Sequence, residues 1–251
     1  MRVLSALAFL PLLFATPLPA MAPADYAAAV APEGRPAKMA ELDESRKPAE
    51  VLDFMGVKPG QKALDFFAGQ GYFTQILARA VGPKGNVTAF EPKNFYDDPR
   101  SAPIWRALHA ANGNITVSAL PADQYAAPAG VYDVALLNLV YHDMYWESTE
   151  YKFPRVDPEK VLAELYKGMK PGGTVVVVDH VGPAGDTRAV VEKLHRIDPE
   201  TVKADFKRAG FTFDGESDVL RVAADDHAKS VFDPAIRGRT DRIMYRFRKP
   251  G

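Results

Sequence analysis

The 251-residue sequence contains no cysteine. That absence excludes disulfides, thiolate metal sites, iron–sulfur clusters, a cysteine nucleophile and a lipid-modified N-terminal cysteine. Charge of one sign is not in excess either: 31 Lys and Arg stand against 32 Asp and Glu, a formal charge of −1. Nothing global draws the chain to a phosphate backbone, so no nucleic-acid partner is expected. Beyond residue 15 no apolar run is long enough to cross a bilayer. No internal repeat is present. What remains, 47% hydrophobic and 25% charged residues, is the composition of an ordinary folded domain with length for one sizeable core.

The N-terminus reads differently from the rest. Met1-Arg2 gives a short basic start, Val3 to Ala15 is apolar, and Ala20-Met21-Ala22 is a small-x-small cleavage site. This is the pattern of a secretory signal peptide over residues 1–22, with the mature chain starting near Pro23. The apolar run is short and Pro11 interrupts it, so no stable membrane insertion is expected once it is removed. The expectation is an exported, periplasmic protein. Residues 23–37 are rich in Ala and Pro and predict a poorly ordered leader. A helix is expected up to about Arg46, completing an N-terminal segment of residues 23–45 ahead of one domain over 46–251.

Strands and helices then alternate. The strand expectations are Ala63–Phe67, Val87–Phe90, Ile115–Val117, a strongly apolar Val131–Val140, Thr174–Val178, a segment near Phe213–Leu220, and Ile243–Phe247. Between them lie helical patterns at Tyr72–Val81, Ile104–Ala111, Asp157–Met169 and Asp198–Ala209. Such alternation predicts an α/β domain with a parallel sheet covered on both faces.

The first strand runs through Asp65 into Phe67-Ala68-Gly69-Gln70-Gly71, where the next helix opens. Two glycines allow a tight turn and close approach of a ligand, and a helix N-terminus favours an anionic group. The second strand ends in Glu91, placed to accept hydrogen bonds from two ribose hydroxyls. A dinucleotide fingerprint would want Gly or Ala where Thr74 stands, so it is incomplete. An acid four residues before the first glycine is a different arrangement.

In this respect the chain resembles the class I S-adenosylmethionine-dependent methyltransferases, whose first motif is an acid followed by a Gly-x-Gly loop. Glu91, Tyr132-Asp133-Val134 and Met169-Lys170-Pro171-Gly172-Gly173 agree with that resemblance, which covers about residues 46–249. The late segments Leu194–Pro199 and Phe232–Gly238 are similar to those of a group of exported bacterial "predicted methyltransferases". The resemblance implies a three-layer, Rossmann-like α/β fold with a mostly parallel, seven-stranded sheet, and S-adenosylmethionine as cofactor. It implies that Asp65 and the backbone of Ala68, Gly69 and Gly71 hold the methionine part, that Glu91 holds the ribose, and that Asn138 lies under the methionine portion. For the adenine position Asp123 is the best candidate, with Ser118 or Ala119 as alternatives.

Three of the five histidines fall at or after strand ends on the side of the glycine loop. They are His142, His180 and His195, while His109 and His227 read as solvated structural residues. A neutral imidazole suits removal of an acceptor's proton, and the order of preference is His195, His142, His180. A metal site from His142, Asp143, Asp179 and His180 has no recognised ligand spacing, and none is expected. Arg196 is a candidate for holding an anionic group of the acceptor. The polar stretch Arg221–Arg242 is either a solvated loop or a lid with Arg237 or Arg239 facing an acidic substrate. Tyr141, Tyr145 and Trp146 are candidates for stacking on a planar substrate. The expected activity is methyl transfer to an unidentified, small-molecule acceptor. Its rivals are a non-catalytic binding module of the same fold and an NAD-dependent oxidoreductase, the latter disfavoured by Thr74 and Asp65.

Overall fold

A computed structural model describes residues 26–251. The expected signal peptide and residues 23–25 lie outside the described residues. Short helices α1 (Ala27–Val30), α2 (Ala37–Ala40) and α3 (Asp43–Arg46) lead into α4 (Pro48–Met55). The remainder runs β1 (Lys62–Phe66), α5 (Tyr72–Val81), β2 (Asn86–Pro92), α6 (Lys93–Tyr96), α7 (Ser101–Ala111), β3 (Ile115–Leu120) and β4 (Tyr132–Asn138). It continues with α8 (Pro158–Gly168), β5 (Met169–His180), α9 (Thr187–Leu194), α10 (Pro199–Arg208), β6 (Thr212–Glu216) and β7 (Arg242–Arg248).

The seven strands form one sheet in the order β3-β2-β1-β4-β5-β7-β6. β1 to β5 pair in parallel, and β7 runs antiparallel between β5 and β6. Helices cover both faces, as the strand period requires. Leu64, Phe66, Val175 and Val177 pack into one core, whereas Ala63, Val176 and Val178 pack into the other. Two buried faces turn a strand into a continuous apolar run, so Thr174–Val178 is easy to recognise. Among the described residues no helix is long and apolar enough to cross a membrane.

Two expectations need correction. The segment 26–37 is not a loose leader. Tyr26 is buried and its hydroxyl donates to the Val57 carbonyl at 2.9 Å. Arg35, also buried, donates to the Val30 carbonyl and to both oxygens of Asp43 at 2.7 Å. Gln75 and Arg79 of α5 close the clamp by donating to the carbonyls of Gly34, Ala31 and Glu33. Backbone carbonyls bind this segment, and these give no hydrophobic pattern. Helix α9 is the second correction, since no helix was expected there. Only Val191 and Leu194 of it are buried, so its apolar stripe is thin, although Asp186 caps it by accepting from Ala189 N–H at 2.8 Å.

Candidate active site

The sheet order reverses between β1 and β4, and in open parallel sheets ligands sit at that switch point beyond the carboxyl ends of the strands. A cavity of about 300 Å³ lies there. Asp65, Ala68, Gly69, Tyr72 and Asn138 line it, together with Leu42, Arg46 and Leu139. Left-handed backbone borders it, with Phe67 at φ 52°, Gly69 at 60° and Leu139 at 59°, and Gly71 at 77° follows just beyond. A bulky Phe and Leu in that region store strain, which collects at functional sites.

The two loop glycines answer different demands. A Cβ on Gly69 would meet nothing within 4 Å, so the φ angle alone disfavours a side chain while the open space admits a ligand. A Cβ on Gly71 would come within 2.3 Å of Leu108 Cδ1 of α7. Gly71 therefore lets a helix approach, not only a ligand as the loop pattern suggested.

Asp65 is 3% exposed and accepts from the Thr74 hydroxyl at 2.6 Å, fastening β1 to the first turn of α5. Burial pushes its carboxyl up to about 7. Glu91 is buried behind the loop and accepts from Gly69 N–H at 2.6 Å, and burial pushes it up to about 8. Asp123, the expected adenine partner, is exposed on the short turn Ala122–Gln124 and does not line the cavity. Leu120-Pro121 ends β3 before that turn begins, which carries Asp123 past the cavity.

A second cavity, of about 740 Å³, adjoins the first and shares Leu42, Arg46 and Leu139 with it. Here the three histidines meet. The ring of His142 is 6.0 Å from His180 and 5.7 Å from His195. His142 is buried, with Nδ1 2.7 Å from Asp179 Oδ1 and Nε2 3.4 Å from Asp143 Oδ1. Burial alone would depress its pKa, but the Asp179 and Asp143 carboxylates overcome that and raise it to about 9. Burial, with Asp179 nearby and in spite of His142, raises Asp143 to about 6. Burial and the charge of His142 lower His180 to about 3 and His195 to about 4, keeping both neutral. His180 Nδ1 is taken by the Thr240 hydroxyl at 2.7 Å. His195 caps α9 at φ 50° and contacts Trp146 and Phe232, with ring distances of 5.4 and 4.8 Å. Among the described residues no group of three or more His, Asp or Glu side chains is arranged to hold a metal ion.

Other candidates separate cleanly. Arg196 is fully buried and its donors are spent: Nε on the Lys229 carbonyl, Nη1 on the Val181 carbonyl, Nη2 on Asp225 at 3.0 Å. It cannot hold an acceptor, and the expectation that it would is corrected. The reason is that segment 217–241, although irregular, is packed, with Leu220, Asp225, Val231, Thr240 and Asp241 buried. Arg196 anchors that segment from beneath. Arg237 is exposed and lines the second cavity, whereas Arg239 bonds to the Ala235 carbonyl and lies outside it. The Tyr141 and Tyr145 hydroxyls both donate to Asp205, so only Trp146 of the three aromatics reaches the cavity. Sequence reasoning missed Arg46 and Arg242, which also line the second cavity. An Arg opening a strand as apolar as Ile243–Phe247 was the available signal for Arg242.

The chain is similar to known proteins in sequence and in fold. The family model of protein-L-isoaspartate(D-aspartate) O-methyltransferases matches residues 39–99, which span α2 to α6 and include the whole glycine loop. The ubiquinone/menaquinone biosynthesis C-methyltransferase UbiE of Vibrio vulnificus (strain YJ016) is 25% identical over 141 residues, 54% of this chain and 47% of that one. Its counterpart from Psychromonas ingrahamii is 26% identical over 133 residues, covering 53% and 48% of the two chains. The crystal structure of a methyltransferase from Aquifex aeolicus superposes with a TM-score of 0.58 at 20% identity, covering 84% of this chain and 97% of the other. Together these likenesses support a place for the chain in the class I S-adenosylmethionine-dependent methyltransferase superfamily. This chain spans about half the length of the curated methyltransferases it matches. The methyltransferase fold also carries other chemistry: the [4+2]-cyclase SpnF superposes with a TM-score of 0.56 at 18% identity, covering 82% and 80% of the chains. Activity must therefore be argued from the site.

Proposed function

We propose that the protein transfers a methyl group from S-adenosylmethionine to a small-molecule acceptor. The observation that carries this reading is the pair of cavities with a common wall at Leu42, Arg46 and Leu139. One is built around a strained glycine loop at a helix N-terminus, and the other carries titratable and aromatic groups. The first fits the cofactor because Gly69 leaves its space open and the buried Asp65 and Glu91 flank the loop. Asp65, the loop backbone and Asn138 would hold the methionine part, and Glu91 the ribose. S-adenosylmethionine supplies an electrophilic methyl group on a sulfonium.

The residues of the second cavity then orient the acceptor, exclude water and take its proton. Asp143 is the best-placed base, since its carboxyl is raised into the range useful near neutral pH and faces the cavity. His142, hydrogen-bonded to Asp179, stands behind it as a cation 3.4 Å from its carboxylate and disperses the charge change. His195 positions the acceptor against Trp146. Incubation with methyl-labelled cofactor and a panel of phenols, amines and thiols tests the reading. Label is expected in at least one acceptor, and its absence throughout, despite cofactor binding, would favour a non-catalytic module.

The same proposal includes export to the periplasm with cleavage near Ala22, supported by the residue pattern of positions 1–22. N-terminal sequencing of the protein from its native cell is expected to begin at or near Pro23. Intact Met1 in the soluble cytoplasmic fraction as the dominant form contradicts it.

A further inference from the structure

Arg242 opens β7 opposite His180 and borders the second cavity. The residue is 6% exposed, and its Nε is buried with no hydrogen-bond partner. Its neighbour Asp241 does not serve it: that carboxylate accepts from Arg221 at 2.8 and 2.9 Å, from Val222 N–H, and contacts His227. The other buried arginines, Arg35 and Arg196, each have a carboxylate, at 2.7 and 2.9 Å. Arg46, on the shared wall of the two cavities, makes no ion pair among the described residues and rests its guanidinium 4.4 Å over the Tyr72 ring. Two guanidiniums with no ion-paired carboxylate border one void. Burial lowers the basicity of both, and Arg46 lowers that of Arg242 further. The charges of Asp65 and Asp43 near Arg46 and of Asp241 near Arg242 offset this only in part. An uncompensated buried cation is costly, and a bound anion removes that penalty.

Resting on the methyl-transfer reading, we infer that the acceptor is a planar aromatic acid, its carboxylate bound by Arg242 and Arg46. The planar fork of Arg242 matches a carboxylate. Trp146 and Phe232, which both line the cavity and contact the His195 ring, provide aromatic surface for the aromatic part. The end of the molecule carrying the nucleophile then reaches Asp143, away from the cationic end.

The test uses 4-hydroxybenzoate and phenol as probes on the whole protein, in thermal-shift and calorimetric titrations. 4-Hydroxybenzoate is expected to bind at least tenfold more tightly than phenol, with the advantage shrinking as salt is raised. Arg242→Met, which replaces an unpaired buried cation by an apolar chain, is expected to keep or raise the melting temperature without ligand. It is expected to lose the tenfold preference. Arg242→Lys keeps the charge without the fork and is expected to retain part of the preference, which covers the case in which the Met variant does not fold. Equal binding of the two probes to wild-type protein overturns the inference, as does an undiminished preference in Arg242→Met. S-adenosylhomocysteine titrated in parallel separates the two failures. If it binds while the acid shows no preference, only the acceptor class is wrong; if neither binds, the methyl-transfer reading has failed.

Discussion

Arg35, Arg196 and Arg242 are all buried, and their partners give them different work. Arg196 bonds to two carbonyls and Asp225, so removing it strands a buried carboxylate. Arg196→Ala is expected to lower stability by roughly 3–5 kcal/mol, measured by denaturant unfolding, without a specific effect on acceptor KM. From sequence, Arg196 beside His195 looked like an anion-binding fork, because the carboxylate that claims it lies 29 residues away. The histidines fared differently. His142 and His180 fall at or just after strand ends that the apolar pattern already located, whereas His195 closes α9, which that pattern did not locate, and the charge states of all three depend on contacts. The expected preference for His195 yields to the Asp143–His142 pair, since His195 is lowered to about 4 and is a weak base. His142→Gln and Asp143→Asn should each lower turnover by about 10²–10⁴-fold with cofactor affinity kept, and His180→Gln by less than tenfold. The kcat/KM profile should rise through about pH 6 as Asp143 loses its proton and fall through about pH 9 as His142 does. Retained turnover in both Asp143→Asn and His142→Gln would make the pair structural.

The loop between β1 and α5 separates two uses of glycine that the sequence shows as one motif. Gly69 faces open space and Gly71 faces Leu108. Gly69→Ala should cost about 1–2 kcal/mol of backbone strain and weaken S-adenosylhomocysteine binding. Gly71→Ala adds a steric clash to similar strain, so it should lower the melting temperature further. Leu108→Ala should return part of that loss in a double-mutant cycle, and purely additive effects would contradict the packing role. Strands were the most legible elements, because a sheet buried on both faces needs apolar runs such as Val175–Val178. Helix α9 and the segment 26–37 were not, since a thin apolar stripe and carbonyl-directed hydrogen bonds carry little periodic signal.

Taken over the molecule, the buried titratable groups give stability a direction in pH. Asp65 and Glu91 have folded pKa values raised to about 7 and 8, so folding holds their protons where the unfolded chain releases them. Stability from these groups is lost as pH rises towards those values. His142, raised to about 9, contributes fully below about pH 6.5 and loses that contribution as pH rises through 9. His180 and His195, lowered to about 3 and 4, act only below about pH 6.5, where they disfavour folding. Above that pH every one of these large shifts acts in one sense, so the melting temperature of the unliganded protein should fall from pH 6.5 to 9. A flat or rising profile would show that the carboxyls and His142 are solvated. The same buried acids flank the proposed cofactor site, which leads to the decisive measurement. Calorimetric titration with S-adenosylhomocysteine should show one site per chain, with the product raising the melting temperature by mass action. Glu91→Ala should weaken binding by about 1–3 kcal/mol. No binding by the wild-type protein at millimolar ligand would contradict the account at its centre.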